Sequence, residues 1–171
     1  MHVLDIHLVV CEDGSDLAQF AWLVRQFYDY GIGTTKALSE SARLYRLAAE
    51  RGDAHAQFCL GTPYSDGVAV DHAEAIRWLR MAVDQGYNMG QNAFGRCYYH
   101  GWGVAKDFAT AVRWFRLAAD QGNAVAQYNL GGCYETGEGV AVSIAEAKRW
   151  YRLAADQGYE DAKAALRRLG N

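Results

Sequence analysis

The side chains best equipped for chemistry are the histidines His2, His7, His55, His72 and His100 and the cysteines Cys11, Cys59, Cys97 and Cys133. Acid–base or metal work needs such groups at spacings that bring them together. The chain has no HExxH or HxxxH pair and no CxxC or CxxH pair, so neither a metalloprotease nor a zinc-ribbon reading gains support. Cys97 and Cys133 stand 36 residues apart at equivalent positions. Helices stacked ~8–10 Å apart hold such residues beyond the ~7 Å Cα separation that a disulfide spans. The cysteines therefore read as small buried hydrophobes of a reducing cytosol. His72 and His100 fall at a helix start and a helix end, where solvated roles are ordinary. There is no Ser-x-x-Lys, Gly-x-Ser-x-Gly or Walker loop. The glycine loops "GWGVAKD" and "GEGVAVS" superficially suit a phosphate, but they recur at a fixed period and no strand precedes them. The expectation is no catalytic residue, no cofactor and no metal. What remains is the chemistry of recognition, carried by aromatic, arginine and carboxylate side chains, and it depends on the elements that place them.

Those elements repeat. "AIRWLRMAVDQG", "AVRWFRLAADQG" and "AKRWYRLAADQG" put Trp78, Trp114 and Trp150 at intervals of 36 residues. A period in this range marks a stacked repeat array, in which each unit buries its apolar face only against its neighbours. Each unit reads as a helix, a glycine loop and a second helix. The first helix carries Phe94, Cys97 and Tyr98 in one unit and Ala126, Leu130, Cys133 and Tyr134 in the next. Gly95 and Gly131 inside these helices point to close approach of a neighbouring helix. Gly101 and Gly137 supply left-handed C-caps. Asp107 and Ser143 are expected N-caps of the second helix, with Ser143–Glu146 and Asp71–Glu74 as capping boxes. The second helix is expected to bury Ala111, Trp114, Leu117 and Ala118, leaving Arg113, Arg116 and Asp120 in solvent. Pro63 falls late in a first helix, where it bends or ends it.

The composition allows a real core. Of 171 residues 51% are apolar, and 17 basic residues stand against 20 acidic ones for a net charge of −3. No basic run argues for nucleic acid, and no apolar run approaches the ~18 residues of a membrane span. The opening "MHVLDIHLVVCEDGSD" lacks a basic region ahead of its apolar patch and a small-residue cleavage site, so it reads as mature protein of a cytoplasmic chain. One domain is expected over 1–171. It would comprise an irregular segment 1–14, a degenerate repeat 15–52, repeats 53–86, 87–122 and 123–158, and a capping helix 159–171.

The pattern A-x-x-x-L-G-x-x-Y-x-x-G-x-G-V, followed by A-x-x-W-[aromatic or Leu]-x-x-A-A-x-x-G, resembles the Sel-1-like repeat family. Ala126 to Val140 with Ala147 to Gly158 carry it, as do Gly90 to Val104 with Ala111 to Gly122. The tetratricopeptide repeat is a relative in shape, but its period is about 34. The resemblance implies an all-α, right-handed superhelix of about four repeats that acts as a non-enzymatic scaffold for a protein or peptide. A cysteine-rich secreted branch of the family has a disulfide in each unit, and this chain lacks its paired cysteines. In arrays of this kind the first helices line the concave face. The expected partner-binding stripe is then Tyr128, Gly132 and Glu135, with Asn92, Arg96 and Tyr99 in the preceding unit and Phe58, Thr62 and Ser65 before that. Trp22 and the loop residue Trp102 are further candidates. Exposed aromatics with arginine dominate binding hot spots. The alternative is a self-assembling homo-oligomer.

Overall fold

The computed structural model describes residues 35–62 and 72–170. The irregular segment 1–14, Trp22, Pro63, Ser65 and the Asp71 half of a capping box lie outside the described residues, as do His2, His7 and Cys11. Eight helices and no strand are present among the described residues: α1 Thr35–Glu50, α2 Ala54–Gly61, α3 His72–Asp84, α4 Asn88–His100, α5 Phe108–Asp120, α6 Ala124–Thr136, α7 Ile144–Asp156 and α8 Glu160–Arg168. Each packs chiefly on the helix before it and the helix after it. The result is an all-α superhelical repeat fold, in which α2, α4 and α6 are the first helices of successive units and α3, α5 and α7 the second.

The second helices bury a face turned by one residue from the expected one. In α5 it consists of Ala111, Val112, Phe115, Ala118 and Ala119, whereas Leu117 is 49% exposed. The glycines explain the turn. A Cβ built on Gly95 would stand 2.7 Å from the Phe115 ring and 3.2 Å from the Ala111 carbonyl. Phe115 therefore occupies the gap that Gly95 leaves, and the helix rotates to seat it. Gly131 and the Tyr151 ring repeat the contact at 2.7 Å in the next unit. Trp78 and Trp150 are buried, while Trp114 is half-buried, edge-on to Phe94 at 5.4 Å between ring centres.

The ends of the helices follow their caps. Asp107 accepts the Thr110 N–H and Ser143 the Glu146 N–H. The return arm of the Ser143–Glu146 box is not made. The Ser143 N–H donates to the Tyr134 carbonyl at 2.8 Å instead, and Arg149 holds the Glu146 carboxylate at 3.3 Å. Gly101 and Gly137 are left-handed, at φ 79° and 80°, and α2 stops at Gly61, just ahead of Pro63.

A polar ladder runs through the stack. Gln57, Gln91 and Gln127 are buried. Gln57 donates to the Ala49 carbonyl at 3.0 Å and Gln127 to that of Ala119 at 3.2 Å. Their oxygens then accept Gln85 and Gln157, each at 2.8 Å, and Gln91 accepts Gln121 at 2.7 Å. A buried amide has to be satisfied, and here each one accepts from the glutamine that closes its own unit, while Gln57 and Gln127 also donate back to a carbonyl of the unit before. Burial and polar pairing thus fix the same register between repeats.

A candidate recognition cleft on the first helices

Between α4 and α6 lies an open cleft of about 230 Å³. Arg96, Tyr99 and His100 of α4 form one wall, and Tyr128, Asn129, Gly132, Cys133 and Thr136 of α6 the other. Phe115, Tyr151 and the loop residue Glu138 complete it. Gly132 puts no side chain into this opening. A Cβ on Gly132 would meet only the Tyr151 hydroxyl, at 3.7 Å.

The carboxylates around the cleft are already engaged. The Tyr99 hydroxyl donates to Glu138 at 2.6 Å, and Thr136 adds a second bond at 2.9 Å. The bond to Glu138, with burial behind it, pushes the Tyr99 phenol up to about 12. The same bonds, Tyr99 first and Thr136 second, hold the Glu138 carboxyl below its ordinary value. Tyr151 donates to Glu135 at 2.8 Å, and the Arg168 guanidinium grips the same carboxylate. Arg168 and then Tyr151 lower the Glu135 carboxyl. Burial, reinforced by that hydrogen bond, raises the Tyr151 phenol. His100 is pushed down by burial and by the cations Arg96 and Lys106.

Arg96 differs. It is exposed, its guanidinium lies 5.6 Å from the Trp102 ring centre, and it makes no ion pair among the described residues. Trp102 stacks on His100 at 4.3 Å and is 38% exposed. The cleft thus offers phenolic and aromatic walls, amide and hydroxyl groups, and one uncommitted cation at its rim. No group of three or more His, Cys, Asp or Glu that could hold a metal occurs among the described residues.

Of the expected stripe, Arg96, Tyr99, Tyr128 and Gly132 come together here. Asn92 does not face the opening. It is 8% exposed and accepts the Asn129 amide at 2.9 Å, a polar rung between α4 and α6. Glu135 stands behind Tyr151 and fixes its hydroxyl. Phe58 packs on His55 and Tyr87, and Thr62 closes α2 by donating to the Cys59 carbonyl, both away from the cleft. Sequence reasoning missed Asn129, Thr136 and Glu138. Glu138 was legible only as the variable residue of a Gly-x-Gly loop, and nothing in its spacing placed it opposite Tyr99, 39 residues earlier.

Among the described residues no helix is long and apolar enough to cross a membrane. The Sel1 repeat profile matches residues 17–53, 54–87, 87–123 and 124–159. A Sel1 repeat protein from Oxalobacter formigenes is 45% identical, over 72% of this chain and 94% of that one, with a TM-score of 0.64. A protective antigen present in uropathogenic Escherichia coli strains, displaying an SLR fold, is 34% identical with a TM-score of 0.75. That match covers 91% of this chain and 33% of the antigen. An F-box protein of Arabidopsis thaliana is 36% identical over 62 residues, which are 36% of this chain. The shared stretch is only 18% of that curated relative's length.

Proposed function

Because the chain belongs to the Sel1 repeat family, we propose that it is a non-enzymatic interaction scaffold that holds an extended segment of a partner protein in the cleft between α4 and α6. Repeats of this family generally serve as protein-interaction scaffolds, and the solenoid fold is typically non-catalytic. One observation carries the placement: Arg96, Tyr99 and Tyr128, from consecutive repeats, surround an open cleft whose own carboxylates are occupied. A peptide would lay apolar side chains against the tyrosine rings and offer a carboxylate to Arg96. Aromatic and arginine side chains at the centre of a pocket contribute most of the affinity in such contacts.

The test fills the cleft without disturbing its walls. Gly132→Gln adds a side chain where the backbone has room, and a peptide array is probed with the wild type and this variant. Peptides retained by the wild type, lost with Gly132→Gln and weakened by Arg96→Glu are the expected result. Equal retention by both proteins would move the contact to another face. If the wild type instead retains no peptide but forms a dimer that Gly132→Gln breaks, the occupant is a second copy of the chain.

A further inference from the structure

A second cluster, unrelated to the cleft, sits on α2. His55 and Cys59 are one turn apart on that helix, so their side chains share a face. Cys59 Sγ lies 3.5 Å from His55 Nε2. On the other side of the ring, His55 Nδ1 lies 2.9 Å from the Tyr87 hydroxyl oxygen. That hydroxyl spends its own proton on the Met89 sulfur, 3.1 Å away. Its oxygen is then left to accept, so Nδ1 carries the imidazole hydrogen and Nε2 presents its lone pair to the thiol. The ring is held in this pose by Tyr45, Phe58 and Tyr87, at centroid distances of 6.5, 6.3 and 6.2 Å. A nucleophile beside a base that a third group orients is the arrangement that activates thiols.

We propose that Cys59 is a modification site: a thiol that His55 deprotonates and that exchanges with small-molecule disulfides to form a mixed disulfide. The Cys59 lone pair forms a bond to one sulfur of the reagent. The reagent's S–S bond breaks, and its electron pair leaves with the second sulfur. The proton taken by Nε2 passes to that leaving thiolate. One disulfide and one thiol give one mixed disulfide and one thiol, so no further oxidant is required.

The surroundings explain why a base is needed. Cys59 lies in the last turn of α2, where the carbonyl end of the helix disfavours a bare thiolate. The other titratable groups facing the pair among the described residues are Tyr45 from α1, Asp53 at the start of α2 and Tyr87 ahead of α4. The Asp53 carboxylate is occupied by the Ala56 N–H at 2.6 Å. Cys59 is half-buried, whereas Cys97 and Cys133 are buried. Burial pushes those two thiols up to about 11 and about 12, which makes them internal standards.

The full chain is treated with dithiobis(nitrobenzoate) and separately with glutathione disulfide, and the modified cysteine is located by peptide mass. Cys59 is expected to react at least roughly tenfold faster than Cys97 and Cys133, since both access and thiolate fraction favour it. His55→Gln is expected to slow Cys59 about threefold at neutral pH, because thiolate fraction and intrinsic nucleophilicity oppose each other. In that variant the rate of Cys59 against pH should inflect above where free cysteine does, because the helix end and partial burial disfavour the thiolate, and in the wild type at a lower pH than in the variant. Tyr87→Phe, which keeps the ring packing, should shift the inflection the same way, as expected of a positioning residue. Unchanged rates at Cys97 and Cys133 report an intact fold. Should His55→Gln speed them up, Tyr87→Phe decides. A Cys59 no faster than the buried pair, or a pH profile indifferent to both substitutions, overturns the proposal.

Discussion

Two adjacent glycines carry opposite consequences. Gly131 faces α7, where a methyl group would stand 2.7 Å from the Tyr151 ring and 3.2 Å from the Ala147 carbonyl. Overpacking of this kind costs about 1–3 kcal/mol, against a helix-propensity gain of about 1 kcal/mol. Gly131→Ala is therefore expected to lower the urea midpoint. Gly132 faces the cleft with room to spare, and Gly132→Ala should raise stability by roughly 0.5–1 kcal/mol, measured in the same unfolding series. The sequence signals a close approach at Gly131 because Gly95 repeats it. Gly132 has no such echo, since Arg96 holds the equivalent place, and so its role as a gap in the wall was not legible as such. Leu117 was misjudged for a related reason. Helical periodicity names a stripe, but it cannot choose between faces one residue apart when apolar residues fill both, as they do in "AVRWFRLAA".

Among the elements, the caps and glycine stops were readable because each depends on a few neighbouring residues. The glutamine ladder was not, because polar residues in an amphipathic helix look solvated. Its signal is the pairing of two recurrences, Ala-x-Ala-Gln at 54–57 and 124–127 and Asp-Gln-Gly at 84–86, 120–122 and 156–158. Replacing Gln127 by leucine removes two hydrogen bonds, its own to the Ala119 carbonyl, which keeps the Gly122 N–H, and the one it accepts from Gln157. Each such bond contributes about 0.5–1.5 kcal/mol net, so Gln127→Leu should lower the unfolding midpoint despite its gain in apolarity. The contact between α6 and α8 responds to acid. Glu135 is held below its ordinary value by Arg168 and Tyr151, and Glu138 by Tyr99 and Thr136. A folded carboxyl lowered in this way contributes stability that is complete above the unfolded value of about 4.3. That contribution fades as the pH drops through the lowered folded value. Amide exchange across α8 should accelerate in that window in the wild type. Glu135→Gln should show the faster exchange already at neutral pH and respond less to acid.

At the scale of the whole molecule, the solenoid was the most legible feature, because a repeated sentence of residues dictates a repeated contact. The candidate cleft was only half legible: its walls follow from the stripe, but its opening arises between units and belongs to neither. Stability in such a stack is a sum of unit and interface terms. α8 covers the α7 face with Ala162 and Ala165 against Tyr151 and Ala154. A chain stopped at Gly158 should therefore melt at a lower temperature, with hydrogen exchange rising first in α7 and later in α5. Unchanged protection of α7 would show that α8 adds nothing to the stack.

Contacts that run chiefly from each helix to the next also set how the protein responds to force. Pulled between Thr35 and Gly170, the described helices are joined chiefly to their neighbours in sequence, and the bonds that reach further, such as Tyr99–Glu138 and Arg168–Glu135, also link adjacent repeats or their cap. Single-molecule pulling should therefore show a short spring that sheds one repeat at a time in small, similar steps rather than a single large rupture.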